Sequence, residues 1–192
     1  MDRPEKTKQN IEIRFFLTPT RARKLLATWR NEKRQLHPYS FEDYYFTKGK
    51  SQAKIRRWKS SHVPKTEIIF FQRKSGLKTE RGRPATSFRN ASEELESLGF
   101  RPRLKIVKKK AWLVSKKGMQ TYALEFVPGL GWTGEIEVPT KDKKRIAINL
   151  AQLKHWGAAD FTKKSMFHLM QERLDMNWLP SRCTHGKVGQ LM

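Results

Sequence analysis

The chain has 192 residues, enough for one domain with a hydrophobic core but too few for two comfortable ones. Its 41 Lys and Arg against 18 Asp and Glu give a net charge of +23, so we expect a polyanionic partner such as nucleic acid, nucleotide or polyphosphate. The single cysteine, Cys183, excludes an intramolecular disulfide and a zinc site built from several cysteines.

No stretch approaches the roughly 20 apolar residues of a membrane span. The first ten residues, MDRPEKTKQN, lack the apolar core of a secretory signal, so we expect a cytoplasmic protein with no membrane partner. We expect one compact domain over residues 1–192. Within it, residues 1–9 are expected to be flexible and residues 139–192 to form a helical C-terminal part.

Alternating apolar and polar residues dominate the first half of the chain. They predict strands at Ile11–Leu17, Phe41–Phe46, Ala53–Trp58, Glu67–Arg73 and Phe100–Leu113. Between the first two strands, Thr18 and Pro19 begin a helix over Arg21–Glu32. That helix has three apolar residues at helical spacing and is otherwise mostly basic, so it is expected to cover an apolar surface.

Two further segments lie between the predicted strands. Residues 74–87, KSGLKTERGRPATS, are rich in Gly, Lys and Arg and predict an exposed basic loop. Residues 90–98 predict a short helix capped by Asn90 or Ser92, which Gly99 ends in the left-handed conformation.

Residues 122–138, YALEFVPGLGWTGEIEV, consist of two alternating segments joined by glycines. Gly129, Gly131 and Gly134 form a literal GxGxxG, but a dinucleotide-binding loop opens a helix, whereas GEIEV alternates as a strand. The stretch therefore predicts a β-hairpin. After it, apolar spacing predicts helices over Ile146–Trp156 and Phe161–Met176, and the tail from residue 180 has no clear pattern.

One face of the predicted strands collects charged residues, because side chains in a strand alternate between two faces. These are Glu12, Arg14, Lys54, Arg56, Lys108, Lys110, Glu125, Glu135 and Glu137. Two interpretations stay open: a solvated sheet face of mixed charge, or a tunnel whose basic side chains hold phosphates while carboxylates bind Mg²⁺ or Mn²⁺. Trp58 and Trp112 are predicted on the same face, where they would stack a base or pack at the rim.

The order of motifs resembles the CYTH superfamily, the triphosphate tunnel metalloenzymes, and is most similar to class IV adenylate cyclases and thiamine triphosphatase-like proteins. IEIRF resembles the family's ExExK strand, AKIRR its basic LRIR strand and EIIFFQRKSG its KgP strand and loop. YALEFVPGLGWTGEIEV is similar to its acidic hairpin, and ASEELESLGFRPRLKIVKKKAWLV to the helix and basic strand before it. The match runs in order from about residue 10 to residue 137.

This resemblance implies an α+β fold: an antiparallel eight-stranded β-tunnel with covering helices. It implies metal ligands or supporting acids at Glu12, Glu125, Glu135 and Glu137. It also implies a phosphate path along Arg14, Lys54, Arg56, Lys108 and Lys110, with further charge from Arg73 and Lys74. Mg²⁺ or Mn²⁺ is the implied cofactor.

The sequence departs from the family's pattern at three positions. Asn10 stands where the family has the first Glu of ExExK, and Arg14 stands where it has Lys. Gln72 aligns near the Lys of the KgP strand. An amide oxygen is uncharged and a guanidinium is a rigid planar donor, so metal affinity and activity depend on how these changes are compensated.

Two functions follow. The first is a metal-dependent phosphohydrolase or nucleotidyl cyclase acting on inorganic triphosphate, a nucleoside triphosphate or an RNA 5′-triphosphate. In the cyclase version the ribose 3′-hydroxyl attacks the α-phosphate and pyrophosphate leaves. The alternative is a non-catalytic protein that binds RNA or another polyanion through its basic surface. The five histidines are scattered, and no nucleophile–base pair is visible, so the sequence assigns no catalytic residue.

Overall fold

Nine strands and four helices make up the computed structural model, which describes residues 6–59, 65–74, 77–115, 122–138 and 143–178. The strands are β1 (Lys6–Leu17), β2 (Gln35–Lys48), β3 (Ser51–Trp58), β4 (Lys65–Lys74), β5 (Leu77–Ala85), β6 (Arg101–Ser115), β7 (Tyr122–Val127), β8 (Gly131–Val138) and β9 (Ala159–Thr162). The helices are α1 (Pro19–Asn31), α2 (Phe88–Ser97), α3 (Lys143–His155) and α4 (Met166–Trp178).

The strands form one antiparallel sheet in the order β5-β4-β3-β2-β6-β7-β8-β1-β9. The long strand β1 divides its pairing, since residues 11–17 pair with β8 and residues 6–10 pair with β5. The pairing order of strands β1 to β8 therefore begins and ends at β1, which pairs with both β8 and β5. Strand β9 also pairs with β1. The α+β tunnel fold predicted from the sequence is confirmed.

The largest apolar cluster lies between the outer face of the sheet and the helices that cover it. In α1, Leu25, Leu26 and Trp29 are buried against β1, β7 and β8. The helix begins where expected, because the side chain of Thr18 accepts a hydrogen bond from the Arg21 backbone and Pro19 occupies the first turn. Helix α2 covers β2, β3 and β4 in the same way. Both helices leave the opposite face of the sheet to polar side chains.

Helix α4 closes the inner space at one end. Met166 and Phe167, in its first turn, are buried against Tyr45, Phe71 and other inward side chains of the sheet. Ser165 caps this helix, because its hydroxyl accepts a hydrogen bond from the backbone N–H of His168 at 3.2 Å. We call this end of the inner space, formed by Tyr45, Phe71, Ser165, Met166 and Phe167, the floor.

The predicted basic loop over residues 74–87 is wrong, because residues 77–85 form β5 and pair with both β4 and β1. The inner face of β5 carries Glu80 and Gly82, whereas Arg81 is exposed. Neither face presents the apolar alternation that identifies a strand, so its composition resembles a loop.

Two helix boundaries also differ. Residues 159–162 form β9 and α4 begins at residue 166, so the helix predicted from residue 161 starts later. Helix α2 is capped by Ser87, whose hydroxyl accepts from the Asn90 backbone at 3.1 Å, and not by Asn90 or Ser92. Gly99 follows this helix with φ of 84°, as expected.

The two ends of the chain are described in part. Residues 1–5 and the tail from residue 179, which includes Cys183, lie outside the described residues. From Lys6 the backbone already belongs to β1, which differs from the flexible segment expected over residues 1–9. In the described ranges, none of the helices has the length and apolar character needed to cross a membrane.

Candidate functional site

The inner face of the sheet surrounds a cavity of about 540 Å³. Its wall is lined by charged, aromatic, aliphatic and small side chains from eight strands, β1 to β8, and its floor by Ser165 and Met166. The charged lining residues are Glu12, Arg14, Lys54, Arg56, Glu67, Glu80, Lys108, Glu125, Glu135 and Glu137. We call this cavity the tunnel.

The structure brings together the site residues predicted from the sequence wherever their side chains are described. All four predicted carboxylates and four of the predicted basic residues line the tunnel. Arg73 and Lys74 lie in β4 and Lys110 lies in β6, but their side chains fall outside the described part of the chain. Strand alternation therefore gives the correct inward face for β1, β3, β7 and β8.

Arg14 is the centre of the first charge network. Its Nη2 pairs with Glu12 on the same strand and with Oε2 of Glu135 on β8 at 2.6 Å. Burial alone would disfavour the guanidinium charge, but Glu135 and Glu125 outweigh it and raise the pKa of Arg14. Its Nε and Nη1 are buried without a hydrogen-bond partner in the part of the chain described. Two donors in the tunnel wall thus remain available to an anion.

Glu125 is the centre of the second network. Its Oε1 accepts hydrogen bonds from the hydroxyl of Tyr39 and from Nζ of Lys108, the latter at 2.5 Å. Its Oε2 is buried and has no partner among the described residues, and the residue is 2% exposed. One oxygen of this carboxylate is fixed by two donors, while the other keeps its full acceptor capacity.

Asp43 was not identified from the sequence and supports the basic residues of β3. Its carboxylate accepts from Nε and Nη2 of Arg56 at 2.7 and 2.8 Å and lies 3.3 Å from Nζ of Lys54. Burial alone would raise the pKa of Asp43, but the charges of Arg56 and Lys54 lower it well below its usual range. Strand alternation could have placed Asp43 on the tunnel face, since it shares that face with Phe41 and Tyr45, two residues away on either side.

Among the described side chains of the tunnel wall, carboxylates outnumber basic groups. Six carboxylates and four basic side chains are described there, so the described wall carries two more negative than positive charges in a chain of net charge +23. Glu12 and Glu137 are direct register partners on β1 and β8, an arrangement that is unfavourable for like charges. Within the described ranges, no group of three or more His, Cys, Asp or Glu side chains is arranged to hold a metal ion.

An aromatic cluster on β2 and β3 lines the tunnel at the end away from the floor. Tyr39 stacks on Phe41 with centroids 5.3 Å apart, and Phe41 meets Trp58 edge to face at 5.2 Å. We call this end the mouth. The sequence correctly places Trp58 on the charged face.

The prediction for Trp112 is wrong. Its ring stacks on Trp132 at 6.1 Å and packs against the outer core. The register of β6 shifts between Lys109 and Trp112, so the alternation that starts from Lys108 does not continue through the strand.

The glycines of residues 122–138 form the predicted hairpin turn. The register from Tyr122↔Ile136 to Val127↔Gly131 pairs β7 with β8, and the Leu130 N–H bonds the carbonyl of Val127 at 3.0 Å. Gly129 and Gly131 have φ of 89° and 84°. The two strands then place Glu125 and Glu135 on the tunnel face, and no helix follows the glycines.

Several solved structures are similar to this chain. The PH1819 protein of Pyrococcus horikoshii OT3 aligns with a TM-score of 0.68 and 21% identity over 85% of this chain and 99% of its own. A candidate adenylate cyclase of Vibrio parahaemolyticus aligns with a TM-score of 0.63 and 12% identity over 86% and 99%. An adenylyl cyclase candidate from Hippeastrum, described as having a dominant triphosphatase activity, aligns at 0.60 and 15% over 88% and 96%.

No protein-family model matches the sequence, and a search of curated proteins finds no match. At the identities above, the structural likeness establishes a shared fold. It extends over more than four-fifths of this chain and nearly the whole of each structure compared. The chain therefore shares the fold of these structures, which agrees with the tunnel fold that the ordered motifs predict.

Proposed function

We propose that the protein is a metal-dependent enzyme that binds a triphosphate in the tunnel and either hydrolyses it or cyclises a nucleotide. The observation that carries this proposal is the mixed lining, in which the described residues contribute four basic side chains interleaved with six carboxylates. A site for an anion alone would not place this many carboxylates in its wall, because like charges repel in a region of low dielectric. A triphosphate accompanied by divalent cations would pair with both kinds of side chain, since its phosphates would contact the basic groups and the cations would contact the carboxylates.

The donor set fits Mg²⁺ or Mn²⁺. Carboxylate oxygens are the ligands that these hard cations prefer, and Oε2 of Glu125 is a buried acceptor without a partner among the described residues. Mg²⁺ is commonly bound by one or two carboxylates together with substrate phosphates. A site completed by the substrate is thus compatible with the lack of a three-residue cluster in the described ranges.

We assign the metal-binding role to Glu12, Glu125, Glu135 and Glu137. When bound, the ion would offset the negative charge of the phosphates during transfer. Glu125 is fixed for this role by Tyr39 and Lys108. The carboxylates of Glu12 and Glu135 pair with Nη2 of Arg14, which keeps these acids beside the guanidinium that would bind the phosphates.

We assign the phosphate-binding role to the basic side chains of the wall. Arg14 contributes the buried Nε and Nη1 donors, and a guanidinium matches the geometry of phosphate oxygens. Lys54 and Arg56 project from alternate positions of β3, which gives a path along the strand. Lys108 completes this path from β6, and Arg73, Lys74 and Lys110 are proposed to extend it. These cations would orient the phosphate chain for attack by water or by a ribose hydroxyl.

The activities described for two of the similar structures support this assignment. The Vibrio parahaemolyticus protein is described as a candidate adenylate cyclase, and the Hippeastrum protein as having a dominant triphosphatase activity. Both activities act on a triphosphate. The tunnel lining here is of a kind that either reaction could use.

Release of phosphate and formation of cyclic AMP test the proposal. The full chain is incubated with ATP, GTP or tripolyphosphate in Mg²⁺ or Mn²⁺. We expect turnover that disappears with EDTA and falls sharply in Glu125→Gln, but not in Glu42→Gln, whose carboxylate pairs with Lys105 and Arg57 away from the tunnel. A folded wild-type protein that turns over none of these compounds with either metal would refute it.

A second candidate function, binding of RNA or another polyanion without catalysis, is favoured by the charge of α1. The helix contains four Arg and Lys residues and no acid over residues 19–31. Arg23, Lys24 and Arg30 are exposed, and none has a carboxylate partner in the described ranges. Since the described tunnel wall is net negative, the excess positive charge of the chain lies elsewhere, and this helix is part of it.

A mobility-shift titration at increasing salt separates the two functions. The probes are a short RNA with a 5′-triphosphate and the same RNA with a 5′-hydroxyl. Surface binding would be supported if the affinity falls with salt and is equal for the two RNAs. It should also be weaker in the triple variant Arg23→Gln, Lys24→Gln, Arg30→Gln. Binding that depends on the triphosphate and is unaffected by this variant would argue against it and for the tunnel.

A further inference from the structure

Trp58 stands at the mouth of the tunnel in a fixed orientation. Its Nε1 donates a hydrogen bond to Oε2 of Glu67 at 3.1 Å, and its ring meets Phe41 at an interplanar angle of 65°. The residue is nevertheless only partly buried. A large aromatic surface is thus held in place by a hydrogen bond, a ring contact and the guanidinium of Arg56, whose carbon lies 5.5 Å from the ring centroid, and part of this surface stays exposed.

The rings of the other aromatic residues of the tunnel wall are covered by neighbouring side chains. Tyr39, Phe41, Tyr45 and Phe71 are buried, each 8% exposed or less. Phe41 stacks on Tyr39, and its ring lies 3.8 Å from the guanidinium carbon of Arg56 and 4.8 Å from Nζ of Lys108. Among the described aromatic residues of the wall, Trp58 therefore offers the accessible ring surface.

The depth of each residue follows from its position on β3. Lys54, Arg56 and Trp58 occupy alternate positions and all line the tunnel, so each step adds about 6.8 Å along the strand. Nζ of Lys54 lies 5.8 and 5.9 Å from the rings of Tyr45 and Phe71, which belong to the floor. Lys54 is therefore the deepest of the three, Arg56 is intermediate and Trp58 is outermost.

We propose that Trp58 is a stacking platform for the heteroaromatic base of a nucleoside triphosphate whose phosphates extend inward past Arg56 to Lys54. This inference rests on the proposed function and narrows its substrate class from any triphosphate to a nucleotide. Bases stack on aromatic side chains regardless of sequence because every base has a π-face. An inorganic triphosphate would fill the inner part of the tunnel and leave the indole uncovered.

The experiment compares ATP with tripolyphosphate in the wild-type chain and in Trp58→Ala and Trp58→Phe. We expect Trp58→Ala to lower kcat/KM for ATP by about 5- to 100-fold, which is the range for loss of one stacked base, and to change that for tripolyphosphate by less than about twofold. Trp58→Phe should recover most of the ATP activity. Tyr44→Ala, an aromatic deletion on the adjacent strand outside the tunnel lining, should leave both substrates unchanged.

Binding of a non-hydrolysable ATP analogue and of imidotriphosphate, measured by calorimetry with Mn²⁺, gives the same comparison without turnover. Circular dichroism shows that each variant is folded. Equal losses for both ligands in Trp58→Ala would show that the indole is a wall of the phosphate path, and no loss for the nucleotide would show rim packing; either result overturns the inference.

The inference and the proposed function fail in different ways. A wild-type chain that binds and turns over neither ligand refutes the proposed function and this inference with it. A wild-type chain that processes tripolyphosphate as well as ATP, with both insensitive to Trp58→Ala, refutes only the inference. A repeat with a 5′-triphosphate RNA distinguishes a free nucleotide from an RNA end as the source of the base, since only the preferred source should show the full loss in Trp58→Ala.

Discussion

The hydroxyl of Tyr39 on β2 donates a hydrogen bond to Glu125 on β7, a residue that lies 86 positions later in the chain and two strands away in the sheet. Burial, reinforced by the charge of Glu125, raises the pKa of Tyr39 well above its usual range, so the phenol keeps its proton and remains a donor. Together with Lys108 it fixes one oxygen of the carboxylate. The other oxygen is thereby oriented without being occupied by the described part of the chain.

Replacement of Tyr39 by Phe should weaken the response to metal without unfolding the protein. The ring and its stacking on Phe41 remain, but Glu125 loses one of the two donors that hold it. Residues that orient a metal ligand typically contribute 10- to 100-fold to metal affinity or activity, so we expect the Mn²⁺ concentration for half-maximal turnover to rise by about 10-fold.

The control for this change is Tyr44→Phe, which removes a hydroxyl that donates to Glu42 at 3.0 Å outside the tunnel lining. It should leave the metal response unchanged. An unaltered Mn²⁺ requirement in Tyr39→Phe would show that Glu125 is not a metal ligand or needs no orientation by the phenol.

Replacement of Arg14 by Lys should impair triphosphate binding although the charge is kept. A single ammonium cannot reproduce the planar donors of the guanidinium, two of which are buried and have no partner among the described residues. Hydrogen bonds to charged groups contribute about 1.5–3 kcal/mol, so the KM for tripolyphosphate should rise by about 10- to 100-fold. Arg57→Lys, on β3 but outside the tunnel lining, should have little effect. An unchanged KM in Arg14→Lys would exclude the guanidinium from phosphate binding.

Replacement of Asp43 by Asn should destabilise the fold at pH 7. Asp43 is fully buried, and its loss would leave Arg56 and Lys54 without their shared carboxylate. Removal of one partner from a buried ion pair costs about 3–5 kcal/mol, which denaturant unfolding would measure. Glu42→Gln is the matched control on the same strand, because the side chains of its three cationic partners are 41–47% exposed, and it should cost about 1 kcal/mol or less.

The difference between wild type and Asp43→Asn should also depend on pH. Because folding lowers the pKa of Asp43, its stabilisation is complete above the unfolded-state value of about 3.9 and is lost as the pH falls below it. The difference in unfolding free energy should thus be constant from pH 7 to about pH 5 and shrink in more acidic solution. A difference that persists undiminished at low pH would assign the cost to packing and not to charge.

Local alternation was sufficient to predict the strands whose two faces differ in polarity. The hairpin of β7 and β8 was predicted because its apolar residues face the outer core and its glutamates face the tunnel. The same argument failed for β5, since Glu80 and Gly82 on its inner face resemble loop residues. The bulge that redirects Trp112 depends on pairing with strands on both sides of β6, so no local pattern records it.

Replacement of Gly134 by Ala should destabilise the sheet because there is no space for a side chain. Gly134 is the register partner of Phe15, and a Cβ there would lie 1.9 Å from the fully buried Phe15 ring. Overpacking of this kind costs about 1–3 kcal/mol, which denaturant unfolding would detect. Gly82→Ala is the matched control, because its Cβ would find its nearest neighbour, a side-chain atom of Ile69, at 3.6 Å, an ordinary contact. Equal stability of the two variants would show that Phe15 can move aside.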